Sequence, residues 1–329
     1  MVKYVIKRLL WIFPVMLSVL VIVFTISYLA PGDPVITMLG GTYTEELYAR
    51  KTAEYGLDRP YIVQLGTYAW NILTKLDLGK SLYTNIPVAQ ELASRLPITF
   101  KLSMAGICLM VLVGLPAGIV SSLNQYSVID VTLTSFALIL AAIPSFVLAL
   151  LCAVFFGVML KLLPVSGLDT WKSYILPVCC PALSGVAVYM RMTRTTMLEV
   201  IRQDYVRTAR AKGLKEGEII RKHALKNCMI PLTTVIGGMI ATVFSGSIIA
   251  ETIFSIPGMG MYIVSGIATR DYPIINGTVV VLSAYVCLIA IAVDILYAFI
   301  DPRIKANYTT PEKKKKALES LLDEGNEAS

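Results

Sequence analysis

Leu9-Leu-Trp-Ile-Phe-Pro-Val-Met-Leu-Ser-Val-Leu-Val-Ile-Val-Phe-Thr-Ile-Ser-Tyr-Leu-Ala30 carries no formal charge and is apolar along almost its whole length. Roughly 20 such residues in a helix cross the ~30 Å hydrocarbon core of a bilayer. Lys3, Lys7 and Arg8 precede the run, as they would a secretory signal. The run is longer than the ~7 to 15 residues of a signal core, and Pro31 makes the junction after Ala30 a poor cleavage site. We read it as a retained membrane span.

Working outward, residues 102–129, 131–160, 173–190, 227–250 and 272–293 repeat the pattern, and the last continues past Asp294 to Ile300. The chain is 56% hydrophobic, 16% charged and has a mean hydropathy of +0.70, outside the composition of ordinary soluble domains. The expected fold is an all-α integral membrane protein with six transmembrane helices. Lys and Arg collect between the fourth and fifth spans, from Arg191 to Lys226, and also near the N-terminus and at Arg303, Lys305 and Lys313 to Lys316. That distribution places this loop and both termini in the cytoplasm, as an even number of spans requires. The +7 net charge thus belongs to membrane orientation, and no nucleic acid is expected as partner. The polar tail, 301–329, is expected to be disordered, with its lysine run touching anionic membrane lipid.

The segment 31–94 lies outside the membrane in this topology and is too short and polar for a substantial enzyme domain. Thr42 with Glu45 fits a capping box, and Pro60 suits the start of a second short helix. Leu65, Tyr68, Ala69, Ile72, Leu73 and Leu76 recur at helical spacing, with Tyr68 and Trp70 as interfacial rings. The spans carry many breakers, among them Pro14, Pro116, Pro144, Pro177, Pro181, Pro231 and Gly237-Gly238, which suits helices around an opening pathway. Gly114 and Gly118 have the spacing of close helix packing. Pro144, Ser145, Tyr189, Ser245 and Ser247 are candidate pathway residues, with intrahelical hydrogen bonding as their equal alternative. Asp294, the one acid deep in a span, is read as structural, with a part in the pathway as its alternative.

Catalysis has no inventory here. The single histidine, His223, excludes a His-Glu-x-x-His zinc site, and we expect it to pack rather than ligate. Cys108, Cys152, Cys179, Cys180, Cys228 and Cys287 lie in apolar runs without CxxC spacing, so no metal and no cofactor are expected. No Gly-rich loop ends in Gly-Lys-Ser/Thr, so any ATP hydrolysis belongs to another chain. No ion relay is evident among the spans, which argues against a self-sufficient secondary transporter.

Residues 204–227, in the basic loop, read as two short helices hinged at a glycine. Asp204 is the expected N-cap of the first and Gly213 its left-handed end. Glu216 and Glu218 open the second, with Arg221, Lys222 and Lys226 toward its end, as the helix dipole favours.

This stretch resembles the EAA loop of ABC importer permeases, in which a short helix and a following glycine dock on a cytoplasmic ATPase. Gly213, Ala209 and Leu225 match the motif, while Arg207, Thr208, His223 and Lys226 replace its general Glu, Ala, Ile and Pro. Thr-Ala-Arg-Ala-Lys-Gly (208–213) is similar to the variant of the dipeptide, oligopeptide and nickel branch. Further landmarks of that branch run along the chain: Tyr4, Arg8-Leu9-Leu10 and Pro14; then 31–34 (PGDP), 56–60 (GLDRP), 77–81 (DLGKS) and 95–99 (RLPIT); and later 251–260 (ETIFSIPGMG), 270–273 (RDYP) and 301–303 (DPR). They resemble the member of the permease pair with the long first external loop.

The resemblance implies a type I ABC importer permease fold, with a five-helix core over 95–300 and the first helix, 1–30, outside it. It implies a permease subunit carrying peptides or a related solute such as a nickel chelate across a bacterial or archaeal inner membrane. The implied partners are a second homologous permease chain, two ATP-binding-cassette subunits and an extracytoplasmic solute-binding protein. Tyr205, Arg207, Thr208, Ala209, Ala211, Gly213 and Leu214 would make the ATPase contact. Pro257, Gly258 and Met259 would form part of the outer gate or meet the binding protein.

Overall fold

The computed structural model describes residues 2–40 and 43–300, with side chains except at 2–5, 7, 241, 245, 294 and 296–300. Thr42, the side chains of Ser245 and Asp294, and the tail 301–329 therefore lie outside the described residues. The quoted apolar run forms helix α1 (Val2–Leu29), in which the Ser18 hydroxyl donates to the carbonyl of Pro14 at 2.8 Å. Three short helices follow: α2 (Pro34–Leu39), α3 (Glu45–Glu54) and α4 (Tyr61–Lys75). Asp33 caps α2 by accepting from the N–H groups of Val35 and Ile36. Thr44, not the expected Thr42, caps α3 by accepting from Leu47 N–H at 3.3 Å. Pro60, with φ held near −57°, precedes α4.

Helix α4 turns Leu65, Tyr68, Ala69 and Ile72 onto Leu20, Val23 and Val280. Tyr68 stacks on Phe24 at 5.6 Å, while Trp70 points outward, 66% exposed.

Helix α5 (Val88–Leu123) has 36 residues, roughly 54 Å of rise. That exceeds the bilayer core, so the helix begins well before its apolar part, and Arg95 falls about two turns inside it. The run 131–160, expected as one span, is a broken pair. Helix α6 (Val128–Ala142) and α7 (Ser145–Cys152, continued as a π-helix over Ala153–Met159) meet at a 99° bend. Pro144 explains the break: it has no N–H, and it drives the preceding Ile143 to an extended ψ of 123°.

A 3-10 turn at Trp171–Tyr174 leads into α8 (Ile175–Ile201), then α9 (Asp204–Ala211), α10 (Glu216–Glu218), a π-helical stretch (Ile219–Ala224), α11 (Leu225–Ile253), α12 (Met259–Thr269) and α13 (Tyr272–Ile300). Among the described residues, five helical runs are long and apolar enough to cross a membrane, and six if the bent pair is one span.

Helix α8 is the centre of the bundle, with Met110, Tyr189, Met197, Cys228 and Leu232 buried where it meets α5 and α11. Gly114 and Gly118 let α5 approach it closely. A Cβ on Gly118 would lie 2.5 Å from Thr193 Cβ and 2.6 Å from the Met190 carbonyl oxygen. Helix α1 sits at the periphery, held to α13 through Leu20, Val23 and Val280 and through the Ser27 hydroxyl, which donates to Asn276 Oδ1 at 2.7 Å.

Candidate coupling and gating sites

The loop after α8 folds as a compact platform. Helix α9 buries Val206 and Ala209 against Ile219, with Leu214 packed beside them. Gln203, not Asp204, occupies the N-cap position, and Asp204 is the first helical residue. Gly213 adopts φ +76° and donates its N–H to the Arg210 carbonyl, while Leu214 N–H returns to Ala209. A Cβ added at Gly213 would meet nothing within 4 Å, so the left-handed backbone alone calls for glycine there. Across this turn the Arg210 guanidinium grips the Glu216 carboxylate with contacts of 2.6 and 3.3 Å.

The second expected short helix is not separate. Ile219, Ala224 and Cys228 are buried along one continuous rod that runs from Glu216 to Ile253 and itself enters the bundle. Of the seven candidate docking residues, Tyr205, Arg207, Thr208, Ala211 and Gly213 are exposed, Leu214 is half-buried and Ala209 faces inward. Ala209 is small where α9 approaches the rod, and it lies on the inner side of the platform. His223 is half-buried in the π-helical stretch.

A pair that the sequence reading missed lies near the end of α8. Arg194, on α8, clasps Asp130 at the start of α6 through Nε and Nη2, each at 2.7 Å. Asp130 also accepts from the hydroxyl of Ser121 on α5 and from Tyr126 N–H at 2.9 Å. One carboxylate thus ties three helices together two turns before α8 ends. The available signal was an acid interrupting apolar residues on the basic side of the chain.

At the other end of the rod, Glu251 is fully buried and accepts from Gly260 N–H at 2.6 Å, at the start of α12. Thr99 Oγ1 accepts from Met259 N–H at 2.9 Å. A Cβ on Gly258 would fall 2.3 Å from the Glu251 carboxylate, so the 257–260 turn is moulded onto that group. Pro257 is exposed, while Gly258 and Met259 are buried. Asp271, between α12 and α13, accepts from Ser81 Oγ at 2.6 Å and Leu82 N–H at 3.0 Å, fastening the long first loop to this corner. Burial pushes the Asp271 carboxyl above the usual carboxylate range, against those hydrogen bonds.

Four of the five pathway candidates, Pro144, Ser145, Tyr189 and Ser247, have described side chains. Tyr189 is fully buried on α8 against α5, and its hydroxyl has no hydrogen-bond partner among the described residues. Ser247 is buried beside Glu251, to which it donates at 3.4 Å. Pro144 and Ser145 sit at the bend between α6 and α7, with Pro144 exposed.

Comparison with known proteins accounts for this arrangement. The family model described as "Binding-protein-dependent transport system inner membrane component" matches residues 114–306, and the model of its N-terminal part matches 1–103. The chain belongs to this family.

This permease is 38% identical to the dipeptide transport system permease protein DppB of Alkalihalophilus pseudofirmus, over 93% of its own length and all of the relative's. It is also 38% identical to the glutathione transport system permease protein GsiC of Pectobacterium atrosepticum, covering 93% and 99% of the two chains. A chain of the inward-facing MetNI methionine ABC transporter superposes with a TM-score of 0.56 at 19% identity, covering 65% of the permease and 97% of that chain. The fold is therefore the expected type I ABC importer permease fold. The permease is a multi-pass membrane component of a transport system and does not itself hydrolyse ATP.

Proposed function

We propose that this permease forms half of the translocation pathway of an ATP-driven importer for peptides, or for a related small solute such as a nickel chelate. A second homologous permease chain completes the pathway. Two ATP-binding-cassette subunits dock on the α9 platform, and an extracytoplasmic solute-binding protein delivers cargo at the α12 end. The permease sits in a bacterial or archaeal inner membrane with both termini and α9 in the cytoplasm. The names of the relatives favour a peptide cargo.

The observation that carries this reading is the rod from Glu216 to Ile253. Its first turns pack against the buried face of α9, and its last turns hold the Glu251 lock on α12. At 38 residues it spans roughly 57 Å. A displacement imposed on α9 is delivered to the opposite end of the molecule by one continuous element, which is the physical link that coupling needs.

Gly213→Val tests the docking assignment. Valine at φ +76° strains the turn by about 1 kcal/mol or more and adds bulk to an exposed contact. The variant should remain in the membrane while ATPase copurification and solute-stimulated ATP hydrolysis fall together. Wild-type values for all three would make the loop a mere connector.

A further inference from the structure

One face of α5 carries Val88, Leu92, Arg95 and Thr99 toward α12, at the i, i+4, i+7 and i+11 spacing of a single helical stripe. Val88, Leu92 and Thr99 are buried in that contact. An arginine stands among them where an apolar side chain would bury more surface. The charge therefore has a task that burial does not supply.

Its surroundings show the task. The Arg95 guanidinium carbon lies 4.5 Å from the centre of the Tyr262 ring, within cation–π distance, and Tyr262, on α12, is 7% exposed. Glu91, one turn earlier on α5, accepts from Arg95 Nε at 3.1 Å and from Nη2 at 2.8 Å. The carboxylate holds the guanidinium over the ring.

Helix α12 needs such a hold. Two of its closest contacts are made at glycines: Gly260 gives its N–H to Glu251, and a Cβ on Gly266 would fall 2.6 Å from Ile274 Cγ2. Such contacts fix where the helix axis lies but offer no side chain that resists rotation about it. Tyr262, held under Arg95, offers one. In the resulting rotation Met261, Val264 and Ile267 are 37%, 40% and 57% exposed, an apolar stripe left uncovered by the bundle.

We infer that Arg95 is a positioning residue: through Tyr262 it sets the rotation of α12, so that Met261, Val264 and Ile267 meet the incoming solute-binding protein. The inference rests on the docking of that protein at the α12 end proposed above.

The test uses the whole transporter in lipid nanodiscs, titrated with its solute-binding protein loaded from a mixed peptide digest, with ATP hydrolysis as the readout. Arg95→Gln and Tyr262→Leu should each raise the binding-protein concentration for half-maximal stimulation by about tenfold, with the maximal rate and the melting temperature unchanged. Tyr262→Phe, which keeps the ring face, should behave as the wild type. The inference is overturned if Arg95→Gln and Tyr262→Leu keep the wild-type concentration, if maximal rate and melting temperature fall instead, or if Tyr262→Phe matches Tyr262→Leu. Val264→Arg, on the uncovered stripe itself, separates the two levels. If it leaves the concentration unchanged, docking at α12 is wrong and the inference falls with it; if it raises the concentration while Arg95→Gln does not, the role of Arg95 fails alone.

Discussion

Arg194 and Asp130 form a nearly buried ion pair, with Asp130 3% and Arg194 22% exposed in their side chains. Removing one partner of such a pair strands the other charge, at a cost of about 3–5 kcal/mol, whereas removing both is far milder. Arg194→Leu should therefore lower the melting temperature of the purified complex markedly, and Asp130→Asn in the same chain should restore much of the loss. Equal melting of wild type and Arg194→Leu would show that the pair is idle. Asp271 gives a pH signature of opposite origin. Its carboxyl is raised by burial, so the folded protein holds that proton more tightly than the unfolded chain, where the value is about 3.9. Stability is then gained as pH falls through the raised value and levels off near the unfolded one. Compared with Asp271→Asn, the wild type should gain in melting temperature between pH 7 and pH 4.5. A difference that is flat, or that moves the other way, would remove Asp271 as the cause.

Elements respond to how closely they meet. The α5–α8 contact at Gly118 leaves no room for a side chain, while Gly114 is looser, with a Cβ 3.1 Å from the Tyr189 ring. Overpacking of this kind costs typically about 1–3 kcal/mol. Gly118→Val should destabilise the complex more than Gly114→Ala in a thermal scan, and a reversed order would contradict the packing. The spacing of the two glycines was visible in the sequence, but the helix they serve was not. In the same way Pro144 marked a breaker, while the 99° bend needed the backbone around Ile143 and the supporting faces of α8.

For the whole molecule, the proposed orientation rests on the basic residues and is checkable from outside. Cysteines placed at Lys51 and Lys75 should react with an impermeant thiol reagent in sealed cells, and one at Lys215 should react only after the membrane is opened. Reaction of the Lys215 variant in intact cells would invert the topology. The same orientation puts the platform and the Glu251 lock on opposite sides of the membrane, joined by the rod from Glu216 to Ile253.

The sequence by itself determined the membrane class, five of the apolar spans and the left-handed turn at Gly213, and it is the ground of the proposed sidedness. Each is a local matter: apolar length against bilayer thickness, charge against membrane rule, a backbone angle that only glycine takes without strain. The tertiary structure decided the rest. Asp130 finds Arg194 across 64 positions, and Asp271 finds Ser81 across 190. Ala209 turned inward because Ile219, in the π-helical stretch that precedes α11, lies beneath it. Which polar group meets which is settled only when the helices pack, because burial demands a partner and does not say from where along the chain it comes.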